Sequence, residues 1–320
     1  MKRFRISLQD TVPFIAFLII FVFFAVASNG NMLSAYTLRT ILDQSMITIL
    51  IGLGVLFAAA QGSIDLSVGV NLALSGVLAT RVALATDLPW LMVPLALLFA
   101  LIVGVIVGVI VSRFKVSSFM VTIAMLIGVR GLVNYIQTKI GVEYIPDAVR
   151  VLNLPNVKIP LFFAIVAIML YLFEFTKAGR YSKAIGENEV TARFVGVPIT
   201  KMKILAFALS GLMSGVGAVF TLVTVGGTTN TMGTFLEMKV AMAIFFGGVL
   251  VTGGASAKIY KVLLGSLSIT IIINGLALIG KSESQISEMV EGLLLLLILF
   301  ITILANYRDR RRVKTAPDET

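Results

Sequence analysis

The stretch GRYSKAIGENEVTARFVGVPITKMK, from Gly179 to Lys203, is a basic segment set between two very apolar runs. It carries Arg180, Lys183, Arg193, Lys201 and Lys203 in a chain that is otherwise sparsely charged. Of 320 residues, 58% are hydrophobic and 13% charged. A soluble domain carries about 25% charged residues. The apolar residues fall in long blocks, without helical or strand periodicity. Blocks of about 20 such residues cross a bilayer as helices. Their continuity excludes a barrel, whose strands alternate. A cationic loop held between membrane helices is a surface for a soluble partner. The bland alternative is an ordinary positively charged loop on the cytoplasmic side.

Working outward, ten spans are expected, at about 12–28, 46–61, 67–86, 91–112, 116–137, 160–175, 204–223, 236–252, 262–280 and 289–306. With the N-terminus inside, Arg113, Lys115, the 177–203 loop, Lys258, Lys261 and the tail 307–320 share one side. The positive-inside bias makes that side cytoplasmic, with both termini on it. The loop from Thr138 to Ile159 falls outside. The first apolar run is long for a signal peptide and shows no small-x-small cleavage pattern, so it reads as a retained helix. The whole of 1–320 is expected to form one transmembrane domain with a short charged tail.

The chain has no Cys and no His. That removes disulfides, thiol nucleophiles, imidazole acid–base chemistry and His-ligated metal. The net charge of +10 follows from the loop bias and does not imply nucleic acid. Neither a metal site nor a catalytic set is expected.

Two apolar runs are interrupted. Ile47 to Ala79 breaks at Gln61-Gly-Ser-Ile-Asp-Leu-Ser67, and Val240 to Ile271 breaks at Thr252-Gly-Gly-Ala-Ser-Ala-Lys258. Paired interruptions point to an internal repeat with a binding region between its halves; short helix connections look similar. In the basic stretch, Gly196 and Pro198 suggest two short helices and a turn. Glu189 stands four residues before Arg193, the spacing of a helical ion pair.

Residue by residue, this region resembles the coupling loop of ABC importer permeases of the ribose-type sugar family. The matching residues are Gly179, Arg180, Tyr181, Ala184, Ile185, Gly186, Asn188, Ala192, Arg193, Gly196, Val197, Phe207, Ser210 and Gly211. Ile64-Asp-Leu-Ser-Val-Gly69, Phe119 with Thr122, Arg130-Gly-Leu132, the paired glycines 247–248 and 253–254, and Asn274-Gly-Leu276 follow in the family's order. The chain departs from the pattern at Ser63, where glycine is usual, and at Ala255-Ser-Ala-Lys258. The resemblance implies an all-α integral membrane protein of about ten helices, a type II ABC importer-like permease of the bacterial inner membrane. It also implies a second permease copy or paralogue, an ATPase subunit that holds the ATP and magnesium, and an extracytoplasmic substrate-binding protein. Gly179, Arg180, Ala184, Gly186, Asn188, Ala192, Arg193 and Gly196 would form the ATPase-coupling loop, with Gly186, Asn188 and Arg193 against the ATPase.

Candidates for the translocation path or hinge are Asp65, Ser67, Asn71, Arg130 and Asn274. Asp65 reads either as a functional intramembrane acid or as the N-cap of a helix opening at Leu66. Arg130 either pairs with a carboxylate, lines an aqueous path or snorkels. Asn71, Asn134 and Asn274 have the chemistry to bond sugar hydroxyls and equally to tie helices together. Gly275 to Ser282 fits the pattern of a phosphate-binding loop, but its variable positions are apolar and end a span, so it is rejected. Gly104-x-x-x-Gly108 and Gly211-x-x-x-Gly215 read as close helix packing. The expected function is passage of a small polar solute, such as a pentose, without enzymatic activity in this chain. The rival is a self-contained secondary transporter or channel; proton coupling wants buried titratable groups in partnership, and Asp65, Glu174, Glu237 and Glu291 stand mostly near span ends, with no His, which weakens that rival without removing it.

Overall fold

The structure is a computed structural model and describes residues 8–280 together with 289, 290, 292, 293, 296, 297 and 300. Within residues 8–280, eleven α-helices run in order: α1 Leu8–Ala27, α2 Ala35–Ala60, α3 Val68–Ala85, α4 Met92–Phe114, α5 Ser118–Ile140, α6 Pro155–Leu170, α7 Lys177–Glu187, α8 Glu189–Phe194, α9 Ile199–Val225, α10 Leu236–Phe246 and α11 Ile259–Leu278. Seven of the described helical segments are long and apolar enough to cross a membrane. Most of the expected last span, 289–306, and the tail 307–320 lie outside the described residues. Among the described residues there is no strand, only a single bridge between Tyr144 and Gly227.

Several boundaries differ from the sequence expectation, each for a local reason. Helix α2 starts eleven positions before residue 46 because Ser34 caps it, accepting from the Thr37 amide at 3.2 Å. Its first turns carry Arg39, Asp43 and Gln44, which disguise them as loop. Helix α3 opens at Val68, not Leu66. Helix α10 stops at Phe246 instead of running to 252, because Gly248 takes a φ of +83°. It has 11 residues, about 16 Å of helix, roughly half of a bilayer's apolar core.

Helices α2 and α9 run through the centre, while α5 and α6 turn most of their apolar surface outward. The closest pair is α4 with α9. Here the two small-residue motifs face each other in antiparallel register. A methyl on Gly104 would lie 2.9 Å from Gly211 Cα, and one on Gly108 would lie 2.9 Å from Ile204 Cα. With lipid outside, such backbone approach supplies the dispersion that holds the helices together.

Candidate functional site

Non-helical backbone occurs at membrane depth in two places. The first is Gln61–Ser67. Gln61 sits at the end of α2, where its Nε2 donates to Ser182 Oγ on α7 and to the Met202 carbonyl on α9, each at 3.0 Å. From there the chain turns back into the bundle. The Ile64 amide donates to Ser118 Oγ at 3.2 Å, and Thr122 Oγ1 donates to the Ile64 carbonyl at 3.4 Å. Helix α5 therefore satisfies both backbone groups of this half-buried, non-helical residue. Asp65 follows, buried. Its Oδ1 accepts from the Ser67 amide at 2.9 Å and from Ser67 Oγ at 2.6 Å; its Oδ2 accepts from Ser210 Oγ at 2.6 Å. Ser210 lies eleven residues beyond Ile199, about 16 Å along α9.

The second place is Gly226–Phe235. Gly226, at a φ of +90°, ends α9 at the far end of the bundle. The chain then folds inward, because Arg130 in the middle of α5 donates to the Met232 carbonyl at 2.8 Å and the Gly233 carbonyl at 3.0 Å. Arg130 is twelve residues from Ser118, about 18 Å along α5. The half-length α10 starts from this depth and returns toward the α7–α8 end. Its first turn carries Glu237, buried, with Oε2 lacking a hydrogen-bond partner. Glu237 and the Gly233 carbonyl press on Gly69 in the first turn of α3, where any side chain would collide. Arg130 acts on Glu237 electrostatically.

Thus α3 and α10 both open at mid-depth, face to face, with an Arg and a Glu between non-helical segments. Irregular backbone survives at such depth only where protein buries it or a path runs past it. Broken helices meeting at mid-depth mark solute routes in membrane transporters.

The predicted residues distribute as follows. Asp65 does not cap a helix from Leu66. It organises the turn before α3 and ties it to α9, so that reading of the acid is corrected. Ser67 is its partner and occupies the N-cap position of α3. Arg130 bonds two carbonyls and no carboxylate. Asn71 donates to the Ala100 carbonyl at 3.0 Å, and Asn274 to Gln44 Oε1 at 2.8 Å and the Thr270 carbonyl at 2.9 Å. Both asparagines tie helices. Sequence reading missed Glu237 as a site residue and the inward fold of 226–235. Its available signal was the Gly/Thr-rich run Gly226-Gly-Thr-Thr-Asn-Thr-Met-Gly-Thr234, polar enough to read as an outer loop.

The basic stretch becomes α7 and α8, split at Asn188, whose side chain caps α8 by accepting from the Thr191 amide at 2.9 Å. Ala192 is buried with Ile185, Val197, Ile199 and Met202 in a small core of its own. Gly196, at φ +85°, ends α8. Gly179 is buried against the Phe173 backbone, and Ala184 is half-buried. Arg180 and Arg193 are exposed. Gly186 faces inward. A methyl there would run into the Ala60 carbonyl and the Gly254 amide. Next to it, Glu187 Oε1 accepts from the Ala255 amide at 2.7 Å. The two sequence interruptions also touch each other, since a methyl on Gly62 would lie 2.9 Å from the Thr252 carbonyl. Helix α7 is therefore seated on the end of α2 and on the 252–258 turn at once.

Glu189 Oε2 accepts from Lys203 Nζ at 2.7 Å and Oε1 from Arg193 at 3.2 Å. The Lys203 hydrogen bond, helped by both positive charges and opposed by burial, holds the Glu189 carboxyl below its ordinary value. A depressed carboxyl adds stability above its unfolded value of about 4.3 and loses it as pH falls through the lower folded value. We expect the α8 amides to keep their hydrogen-exchange protection through the range where an ordinary glutamate titrates and to lose it at more acid pH. In Glu189→Gln that step disappears and protection is lower at neutral pH.

Residues 37–299 match the family described as branched-chain amino acid transport system / permease component. The chain is 28% identical over 318 residues to the ribose import permease protein RbsC of Haemophilus influenzae, covering 93% of this chain and 94% of that protein. It is 29% identical over 304 residues to RbsC of Bacillus subtilis, with 92% of each covered. It is 31% identical over 254 residues to the L-arabinose transport system permease protein AraH of Escherichia coli, covering 77% of this chain and 76% of AraH. No solved structure matches the chain. An all-helical bundle with broken helices at mid-depth, matched over most of its length, makes this chain a member of the transport-system permease-component family.

Proposed function

We propose that the chain is the membrane permease subunit of an ATP-driven bacterial importer that passes a monosaccharide, a pentose by preference. It works as a pair of permeases, identical or paralogous, in the inner membrane, with ten spans and both termini in the cytoplasm. An external binding protein delivers the sugar, and a separate ATPase holds ATP and magnesium. Ribose and L-arabinose, the sugars after which the similar permeases are named, support the substrate class. The polar groups at mid-depth are few, which suits a path along which selectivity has already been exercised.

The observation that carries the coupling role is the seating of α7 on both turns through Gly186 and Glu187. A push on α7 reaches the segment that holds Asp65 and the start of α11 without any flexible intermediary. The outward face beside it is apolar: Val190, Phe194 and Val195 are 64%, 87% and 74% exposed. We assign the ATPase contact to this face together with Arg180, Asn188 and Arg193. Gly186 supports it from within.

Phe194→Asp tests this. Phe194 is too exposed to matter for folding, so the thermal midpoint should stay within a degree or two, as expected of a surface change under about 0.5 kcal/mol. Recovery of the ATPase with a tagged chain should fall at least about tenfold, as for a central aromatic contact. Full co-purification would reject this face. A purified chain that moves sugar alone in liposomes would reject the importer.

A further inference from the structure

A cavity of about 410 Å³ lies between the end of α4, the start of α5, α8 and the start of α9. That is within the range of about 300–1,000 Å³ typical of small-ligand sites. Its charged lining is Lys115, Arg193, Lys203 and Glu189. Glu189 is shared between Arg193 and Lys203. Three cations against one carboxylate leave two positive charges uncompensated. Lys115 has no carboxylate partner among the described residues. It ends α4 at a φ of +54°, and this turn carries the chain along the cavity wall to Ser117 and Ser118.

Two helices open onto the same cavity. Ser117 stands at the N-cap of α5 without making a side-chain capping bond, and Pro198 at the N-cap of α9 makes none. Ser118 and Thr200, in the first turns of these 23- and 27-residue helices, line the wall. First-turn amides without a side-chain cap carry the positive end of the helix dipole, and negative charge is stabilised there. An ordinary basic loop spreads its lysines into water. Here the cations enclose a volume into which two uncapped helix ends also open.

We propose that this cavity is an anion site that takes one phosphate group, held by Lys115, Lys203 and Arg193 and by the amides opening α5 and α9. The recognised chemistry is a phosphate ester. Its source is either the headgroup of an anionic phospholipid in the adjacent leaflet or a soluble phosphate. The inference stands on the cavity alone and does not need the transport reading.

The test uses the purified full chain in detergent. Native mass spectrometry is run with phosphatidylglycerol and with phosphatidylethanolamine, and equilibrium dialysis with radiolabelled inorganic phosphate. The expected result is one anionic ligand per chain, bound about tenfold more weakly by Lys115→Gln, as for loss of one charged hydrogen bond, and fully by Lys115→Arg. Lys115 is exposed, so an unchanged thermal midpoint should accompany both variants. Retention of phosphatidylglycerol over phosphatidylethanolamine, undisturbed by phosphate, identifies the lipid source. Stoichiometric phosphate binding that displaces the lipid identifies the soluble one. Absence of stoichiometric binding by either probe, or equal binding by Lys115→Gln and Lys115→Glu and the natural chain, overturns the proposal.

Discussion

Arg130→Met lowers ATP-driven sugar uptake by at least about tenfold and destabilises the chain by about 3 kcal/mol. The reason lies in what the guanidinium holds. Its two donors bond the Met232 and Gly233 carbonyls, to which the Leu236 amide adds only a long contact, at 3.5 Å on the Gly233 oxygen. Its positive charge also acts on the buried Glu237 carboxyl nearby. Without it, the 226–235 segment loses its anchor and α10 loses its defined starting depth. Lysine is a poor substitute, because a single ammonium does not reproduce the planar fork that spans two adjacent carbonyls. Glu237→Gln added to Arg130→Met should restore part of the stability, since it removes a buried acid left without its cationic neighbour, but not the uptake. Thermal unfolding in detergent and vesicle uptake read the two effects separately. Additive losses in the double variant would show that the two residues act independently.

Gly186→Leu abolishes uptake while leaving the outward α8 face chemically intact. The new side chain meets the Ala60 carbonyl and the Gly254 amide, both backbone, so rotamer changes in neighbours give no relief. Helix α7 must lift from one or both turns. The strain belongs with severe overpacking, about 3 kcal/mol or more. Even Gly186→Ala should be costly for the same reason. The informative comparison is with Phe194→Asp. The exposed substitution should lose the ATPase and keep the fold. The buried one should keep a measurable share of ATPase recovery and lose transport. Wild-type uptake by Gly186→Leu would show that α7 is not seated on the two turns during turnover.

Much of this was legible from residue type alone. Continuous apolar blocks announced the long helices, because a bilayer leaves backbone polar groups no other partner. The glycine pairs at 104/108 and 211/215 announced close helix packing, though not that they pack on each other, and Glu189 with Arg193 appeared as the helical pair their spacing suggested. The two interruptions were also visible. What was hidden is how depth is distributed. A run such as Leu236 to Thr252 is apolar enough for a full span, yet Gly247-Gly248 stops the helix after Phe246 and the inward fold of 226–235 starts it midway. That fold is set by Arg130, about a hundred residues earlier in sequence, a partnership no local pattern reveals. The same blindness affected Gly186. A glycine on a surface helix reads as room for an outside partner, while here the room is filled by Ala60 and Gly254 of the same chain. Asp65 looked like a helix cap; it does bond the local Ser67, but its second partner, Ser210, lies 145 positions away.

The most direct measurement exploits the absence of cysteine from the natural sequence. Glu187→Cys and Ala255→Cys are combined, linked across the contact of α7 with the 252–258 turn by a short reducible bis-thiosulfonate reagent, and the assembled importer is assayed for ATP-driven uptake. If α7 and the turn travel as one body, uptake by the linked protein equals uptake after reduction. Collapse of uptake on linking, with recovery on reduction, would mean that α7 must part from the turn to work, and would contradict the account.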